Sequence, residues 1–232
     1  MGRLLGRVTL LRYGSGRACR KAALAIALAF PGFAAHADAV VIAALGDSLT
    51  AGYGLGEYEG LVPRLQNWLT TRGVDAVVLN AGVSGDTTAG GLARLDWTLS
   101  PDVGALIVEL GANDMLRGVD PAEVRSNLDA ILAKAGEAGL PVLLLGFRAP
   151  GNYGPDYQAQ FDAIFPELAE AHGADLFPSF FGPLRARDDG SQKVRSKYLQ
   201  EDGLHPTAMG VALIVDELGP QVKALAEKAA AK

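Results

Sequence analysis

The sequence is almost free of cysteine, since its 232 residues include only Cys19. That residue lies in an N-terminal segment that we expect to be removed from the mature protein. A mature chain without cysteine has no thiol nucleophile, no thiolate ligand for a metal ion or an iron–sulfur cluster, and no disulfide bond. Its stability in an oxidising compartment must therefore come from a hydrophobic core.

Long hydrophobic runs are also missing. The N-terminus has a basic region that ends at Lys21, and a short apolar region follows from Ala22 to Phe30. That region is well short of the roughly 20 residues that span a membrane, and Ala35-His36-Ala37 matches a cleavage signal. The pattern predicts a signal peptide over residues 1–37, cleaved after Ala37. We therefore expect a periplasmic or secreted protein without stable membrane insertion, with an uncleaved anchor as the alternative.

The mature chain is poor in positive charge. Residues 38–232 contain 15 basic and 26 acidic residues, a formal net charge of −11 against −5 for the whole sequence. Nonspecific binding to nucleic acid or to an anionic membrane surface requires a net positive field. The composition therefore argues against both of these partners.

Apolar runs and helical periodicity alternate along the chain. Apolar runs that end at glycine or at polar residues predict strands near residues 40–46, 74–79, 104–110, 142–146 and 175–177. Apolar residues at helical spacing predict helices near residues 59–72, 121–138 and 157–172, and after Pro206. Residues 178–200 have no regular pattern, and we assign them no structure.

This alternation predicts one domain of the α/β class over residues 38–232. Short connections and right-handed crossovers favour a three-layer α/β/α sandwich of the flavodoxin-like type. We expect a five-stranded parallel sheet of order 2-1-3-4-5, in which strands one and three are neighbours and a crevice opens beyond their carboxyl ends. Ser48 and Asn113 follow those two strands.

Ser48 is a candidate nucleophile at this edge of the sheet. A serine hydroxyl needs a base within hydrogen-bond distance, and the base needs an orienting group. His205 follows Asp202 by three residues, in a turn with Gly203 and Pro206, so the carboxylate can hold one ring nitrogen and leave the other free. Each residue has an ordinary alternative, with Ser48 as a helix cap, Asp202 as a turn cap and His205 on the surface.

Three hydrogen-bond donors at the same edge are candidates for stabilising a negative charge. They are the backbone N–H of Ser48, the backbone N–H of Gly85 and the side-chain amide of Asn113. A glycine lets a substrate approach the backbone closely, and such donors stabilise an oxyanion. The alternatives are a turn-forming role for Gly85 and a capping role for Asn113. The position of all these residues at strand ends on one side of one sheet favours a catalytic site.

Four ordered motifs resemble those of the SGNH (GDSL) hydrolase family. They are Gly46-Asp47-Ser48-Leu49, Ser84-Gly85-Asp86-Thr87, Gly111-Ala112-Asn113-Asp114 and Asp202-Gly203-Leu204-His205-Pro206. Four motifs in order are far more specific than one, and the resemblance extends from Val40 to the final helix. Within the family, the chain is most similar to the secreted bacterial group of thioesterase I, lysophospholipase L1 and arylesterase.

The resemblance implies hydrolysis of carboxylic esters or thioesters through an acyl-serine, without a metal ion or cofactor. It implies that Ser48 is the nucleophile, His205 the general base and then acid, and Asp202 the residue that orients the base. Ser48, Gly85 and Asn113 are the implied oxyanion hole. The expected substrates are small acyl esters or lysophospholipids, and we expect a monomer.

The residues beside the site are candidates for the acyl pocket. Met115, Leu116, Phe147 and Ala149 are apolar and follow the third and fourth strands, although core packing is the alternative for each. A mobile loop over Met115–Gly118 is expected, because this segment follows Asn113 and ends in glycine. Two other functions stay open at this point, an O-acetyl esterase of carbohydrate or peptidoglycan and a secreted binding protein without activity.

Overall fold

Five parallel strands form the sheet of the computed structural model, which describes residues 39–232. Their order is β2-β1-β3-β4-β5, as the sequence predicts. The strands are β1 Val40–Gly46, β2 Ala76–Gly82, β3 Val103–Glu109, β4 Val142–Leu145 and β5 Asp175–Phe177. The predicted signal peptide and its cleavage site lie outside the described residues.

Strand β1 is the central strand for the site because it pairs with both β2 and β3. Its residues from Ile42 to Leu45 are almost fully buried, which explains their uninterrupted apolar character. Gly46 at its end is in register with Gly82 of β2 and with Glu109 of β3. The three strands therefore end at one level, and the residues that follow them converge at one edge of the sheet.

Helices cover both faces of this sheet. The described helices are α1 Ser48–Ala51, α2 Leu61–Thr70, α3 Thr88–Ala93, α4 Leu95–Thr98, α5 Ala112–Arg117, α6 Pro121–Glu137, α7 Pro155–His172, α8 Gly182–Arg185, α9 Gln192–Tyr198 and α10 Ala208–Ala230. Helix α2 packs against α10, whereas α6 packs against α3 and α7. Right-handed crossovers that run in opposite directions along the sheet place α2 and α6 on opposite faces, which confirms the three-layer prediction. Among residues 39–232, no helix has the length and apolarity needed to cross a membrane.

Two elements differ from their predicted limits. Strand β2 runs to Gly82, beyond the predicted end at residue 79, because its last residues continue the pairing with β1. Residues 115–117 of the predicted mobile loop Met115–Gly118 instead complete helix α5, and Gly118 caps the helix in a left-handed conformation. The Tyr153 hydroxyl donates a hydrogen bond to the Leu116 carbonyl at 3.0 Å, so the last turn of α5 is held from outside.

The stretch that we left unassigned, residues 178–200, contains the short helices α8 and α9. Ser191 caps α9 by accepting a hydrogen bond from the Val194 N–H at 3.2 Å. Beyond α9, Leu199 pairs with Pro206 in an isolated antiparallel bridge. The bridge closes a turn that contains both Asp202 and His205.

Candidate active site

Ser48, His205 and Asp202 form a continuous chain of contacts at the carboxyl edge of the sheet. Ser48 Oγ lies 2.8 Å from His205 Nε2, and His205 Nδ1 lies 2.5 Å from Asp202 Oδ2. In the tautomer that donates its Nδ1–H to the carboxylate, the ring presents an unprotonated Nε2 to the serine hydroxyl. This arrangement can remove the proton of Ser48 as its oxygen attacks an electrophile.

The turn that carries His205 is fixed by hydrogen bonds to Asp202. Asp202 Oδ1 accepts from the backbone N–H groups of Leu204 and His205, at 2.9 and 3.0 Å. Desolvation acts to raise the pKa of Asp202, but the hydrogen bonds and the charge of His205 outweigh it and lower the pKa to about 2. Asp202 is therefore ionised at neutral pH, and it holds both the backbone and the ring of His205 in place.

Ser48 is positioned by the junction between β1 and α1. Asp47 caps this short helix by accepting the Leu49 N–H at 2.9 Å. Gly46 is required at the junction, because a Cβ there would collide with the side chains of Thr50 and Glu109. As the first residue of α1, Ser48 has a backbone N–H that lies outside the hydrogen-bond ladder of the helix.

Gly85 offers a second backbone N–H to the site. Its φ of +83° is in the left-handed region that favours glycine. Arg117 Nη2 donates to the Gly85 carbonyl oxygen at 2.8 Å and so anchors the residue on its carbonyl side. Within residues 39–232, no hydrogen bond uses the Gly85 N–H, and Gly85 lines the same cavity as Ser48. This N–H is therefore available to an oxygen atom in the cavity.

Asn113 contributes a side-chain donor from the first turn of α5. Its Nδ2 donates to Asp47 Oδ2 at 2.8 Å, and because an amide nitrogen has two hydrogens, the second is available to the cavity. The next residue, Asp114, is buried and accepts the hydroxyl and the backbone N–H of Thr88, at 2.6 and 2.9 Å. These bonds attach α5 to the first turn of α3.

Two buried carboxyl groups, Asp47 and Glu109, lie below Ser48. Desolvation raises the pKa of Asp47 to about 6, against the hydrogen bonds that it accepts from Leu49 and Asn113. Desolvation, followed by the charge of Asp47, raises the pKa of Glu109 well above its usual value. Glu109 Oε2 accepts the Thr50 hydroxyl at 2.8 Å, a contact that acts to lower the pKa of Glu109 but does not offset the effect of burial. A negative charge on Asp47 disfavours ionisation of Glu109 further.

Arg94 connects the ends of β1 and β2 to the loop that contains Gly85. It donates to the carbonyl oxygens of Gly46 and Ala81, at 2.8 and 2.7 Å, and to Asp86 Oδ2 at 2.7 Å. The Arg94 side chain is 23% exposed and that of Asp86 is 12% exposed, so water screens this ion pair only in part. Arg94 therefore holds the Gly85 loop to the end of β1, together with the backbone hydrogen bond from the Val83 N–H to the Gly46 carbonyl at 3.0 Å.

A cavity of about 330 Å³ opens at Ser48, and we call it the Ser48 cavity. Besides the residues described above, its apolar lining consists of Leu49, Tyr53, Met115, Leu116, Phe181 and Leu204. Met115 and Leu116 were predicted there from sequence. Within residues 39–232, no cluster of three or more potential metal-ligating side chains is arranged to hold a metal ion.

Phe147 and Ala149 do not line the Ser48 cavity, and their prediction as pocket residues is wrong. Each is only 3% exposed. The Phe147 ring packs against Phe180 and Phe181, which follow β5, with ring centroids 5.9 and 6.3 Å apart. The backbone of Ala149 is bonded instead to α7, since its N–H donates to Asp162 Oδ1 at 2.8 Å and its carbonyl accepts from Gln158 Nε2 at 2.9 Å.

Several residues of the site were missed from sequence. The Tyr53 ring lies beside the His205 ring, with centroids 4.6 Å apart. Tyr53 follows Ser48 by five residues, but we predicted no role for it. Asp47 was considered only as part of its motif and Glu109 was given no role, because nothing in a sequence shows that a carboxylate is buried. Phe181 lies in the stretch for which we predicted no structure.

A model of the GDSL-like lipase/acylhydrolase family matches residues 44–213. The chain belongs to this family. It is 39% identical over 191 residues to the esterase TesA of Pseudomonas aeruginosa, a match that covers 82% of this chain and 91% of TesA. It is 36% identical over 195 residues to thioesterase 1/protease 1/lysophospholipase L1 of Escherichia coli K12, which covers 83% and 86% of the two chains.

A solved structure agrees with this assignment to the GDSL-like family. The crystal structure of AlinE4, an SGNH-hydrolase family esterase, matches with a TM-score of 0.65 at 44% identity and covers 81% of this chain and 97% of AlinE4. Family, relatives and structure together confirm the resemblance that the four motifs indicate. This GDSL-like acylhydrolase is a serine hydrolase that acts on ester bonds.

Proposed function

We propose that Ser48 is the nucleophile of this esterase, that His205 is its general base and then its acid, and that Asp202 orients His205. The observation that carries the proposal is the 2.8 Å contact between Ser48 Oγ and His205 Nε2, in series with the 2.5 Å contact to Asp202. In this environment a base lies within hydrogen-bond distance of the serine hydroxyl, as proton transfer requires.

In the first half of the reaction, Ser48 Oγ attacks the carbonyl carbon of the ester while His205 Nε2 takes the serine proton. The carbonyl π electrons move to its oxygen, which the N–H groups of Ser48 and Gly85 and the amide of Asn113 stabilise. When this intermediate collapses, the bond to the alcohol or thiol breaks, and His205 returns its proton to the leaving group. The acyl group stays on Ser48 as an ester.

In the second half, a water molecule attacks the acyl-serine and gives its proton to His205. The same three donors stabilise the second oxyanion, and collapse releases the carboxylic acid and restores the Ser48 hydroxyl. Asp202 stays ionised through both halves, since its pKa is about 2, and it stabilises the imidazolium that forms twice. The cycle uses only groups of this chain and water.

The Ser48→Ala variant tests the nucleophile. We expect it to lose turnover of p-nitrophenyl butyrate and to escape labelling by a fluorophosphonate, which should modify the wild type at Ser48. Ser100→Ala, at an exposed serine outside the site, is the matched control and should keep both properties. Wild-type rates in the Ser48→Ala variant would end the proposal.

We also propose carboxylic esters with apolar acyl or aryl groups, lysophospholipids among them, as the substrate class. The apolar lining of the Ser48 cavity supports this class over acetylated carbohydrates, for which polar partners around the sugar would be expected. The names of the relatives, esterase and thioesterase 1/protease 1/lysophospholipase L1, point to the same chemistry. Rates on aryl esters, acyl thioesters, lysophosphatidylcholine and acetylated xylan, each compared with Ser48→Ala, rank the candidates.

We propose further that residues 1–37 are a cleaved leader and that residues 38–232 act as a monomeric esterase in the periplasm or outside the cell. The support is the basic, apolar and small-residue pattern of the N-terminus. Intact mass of the exported protein tests the cleavage after Ala37, and light scattering tests the monomer. An exported enzyme is separated from cytosolic coenzyme A esters, so lipid and aryl esters are the better physiological candidates.

A further inference from the structure

A second cavity, of about 230 Å³, lies beside the Ser48 cavity, and we call it the side cavity. Phe181 and Leu204 line both cavities, so these two side chains form the boundary between them. The rest of the side cavity is bounded by residues of α8 and α9 and by the turn before His205. It therefore adjoins the reaction site through an apolar boundary.

The walls of the side cavity are mainly apolar. Leu184 of α8, Val194 of α9 and Leu199 all contribute to it. An alkyl chain that enters such a space removes its own surface and these side chains from water. For each methylene that is buried, the binding constant rises about fourfold. The chemistry of the walls thus favours a hydrocarbon ligand.

The charged groups at the side cavity already have partners. Arg195 Nε lies 3.3 Å from Asp188 Oδ2, and both residues line the cavity. Arg185, the other cation of the lining, donates to the Ser179 hydroxyl. The Asp188 carboxylate offsets the charge of Arg195, and the apolar walls make up most of the remaining lining.

We propose that the side cavity binds the distal part of a long unbranched alkyl chain of the ester held at Ser48, which reaches it past Phe181 and Leu204. This inference rests on the proposed function, because it takes Ser48 as the reacting residue. Pockets that hold drug-sized ligands span about 300–1,000 Å³, and the Ser48 cavity is near the lower limit. The side cavity is the adjoining apolar space into which a long chain can extend.

The turn that carries His205 borders both the reaction site and the side cavity. Leu204 precedes His205, and the Leu199–Pro206 bridge holds the two ends of the turn together. A chain that fills the side cavity thus packs on a structure that is already fixed by the bonds to Asp202. We therefore expect chain length to act mainly on KM and less on kcat.

Filling the side cavity tests the inference. Val194→Trp places a large ring in the side cavity, whereas Lys193→Trp places the same ring on the exposed side of the same helix and is the matched control. The readout is the ratio of kcat/KM for p-nitrophenyl decanoate to that for p-nitrophenyl acetate, below the micelle-forming concentration. We expect the ratio to fall about tenfold in Val194→Trp, the equivalent of roughly two methylenes, and to stay at the wild-type value in the control.

A second substrate series identifies the source of the chain. In decyl and ethyl acetates the long chain belongs to the alcohol, and release of acetic acid gives the rates. A fall of the ratio in the acyl series assigns the side cavity to the acyl chain, and a fall in the alcohol series assigns it to the leaving group. An unchanged ratio in both series, or an equal fall in Lys193→Trp, overturns the inference.

The controls separate this inference from the proposed function. If wild-type protein hydrolyses acetate esters and loses this activity in Ser48→Ala, the proposed function holds whatever the ratio does. If Ser48→Ala is fully active, the proposed function fails first. Should thermal unfolding show that Val194→Trp is unfolded at the assay temperature, Val194→Phe takes its place with Lys193→Phe as control.

Discussion

The amide nitrogen of Asn113 lies 2.8 Å from the buried carboxylate of Asp47. This contact fixes the orientation of the Asn113 amide, because a carboxylate accepts a hydrogen bond from the amide nitrogen and repels the amide oxygen. The proposed oxyanion donor is thereby oriented before a substrate arrives. Because the donor is already oriented, no free energy is needed to reorient it when negative charge develops on the substrate oxygen.

Removal of the Asn113 amide should slow catalysis without unfolding the protein. We expect Asn113→Ala to lower kcat by about 10²–10³-fold, the usual effect of losing one oxyanion donor. Asn67→Ala, at an exposed asparagine of α2, provides the matched control and should have wild-type rates. Steady-state kinetics on p-nitrophenyl butyrate measures the difference, and a near-normal kcat would remove Asn113 from the oxyanion hole.

Folding raises the pKa of Asp47, so the contribution of Asp47 to stability should fall as the pH rises. Burial raises its pKa to about 6 from 3.8, so its stabilising contribution is complete below pH 4 and is lost as the pH rises through 6. Asp47→Asn removes this ionisation. We expect the free energy of unfolding of the variant, relative to that of the wild type, to be higher at pH 7 than at pH 4 by about 2–3 kcal/mol.

Urea unfolding of both proteins at several pH values between 4 and 8 measures this gain. The range stays above the pKa of Asp202, whose lowered value makes its own contribution fall only at lower pH. Parallel pH profiles for wild type and Asp47→Asn would show that Asp47 does not titrate abnormally.

Arg94 should matter far more for stability than an exposed arginine with a similar salt bridge. Arg94→Met removes the charged donor from Asp86 and from the Gly46 and Ala81 carbonyls in a half-buried position, which we expect to cost about 3 kcal/mol. Among the described residues, the Gly46 carbonyl keeps only the Val83 N–H, and Asp86 keeps only the Thr87 N–H. Arg125→Met, which breaks the exposed pair with Glu167, should cost less than about 1 kcal/mol. Chemical denaturation of the two variants gives the comparison, and equal losses would contradict it.

Gly85 and Gly190 provide a matched pair of glycines. Both have positive φ, 83° and 81°, and neither has a close neighbour that an added Cβ would strike. Alanine at either position should cost about 1 kcal/mol of stability through backbone strain. Only Gly85→Ala places a methyl group beside a donor of the proposed oxyanion hole, so it alone should lower kcat. Wild-type kcat in Gly85→Ala would show that the reaction does not need the open space at the Gly85 Cα.

The order of the sheet and the convergence of Ser48, Asn113 and His205 could be predicted because they follow from strand periodicity and from four local motifs. The role of the segment after β4 could not be predicted, since Phe147 and Ala149 are apolar whether they line a pocket or fill the core. Phe147 packs against Phe180 and Phe181, which come from a segment with no periodic pattern, whereas Ala149 is bonded to Asp162 and Gln158 of α7. Local sequence indicates which element a residue belongs to, but distant elements decide which residues are covered.

The buried ionisable residues around the site were unpredictable for a related reason. Arg94 and Glu109 are ordinary surface residue types, and their burial depends on partners from other strands and loops. The Tyr53 ring, similarly, meets His205 only in the folded chain, since their residue numbers place them 152 positions apart. Such pairs need a three-dimensional structure, or an alignment, to be found.

Ser48 and His205 lie 157 positions apart, near opposite ends of the described chain. During synthesis, Ser48 emerges early, whereas its proposed base emerges only when the last helix is about to follow. On the proposed assignment of His205 as the base, a nascent or C-terminally truncated chain holds a serine without its base. On the same assignment, hydrolytic activity begins only when synthesis is nearly complete.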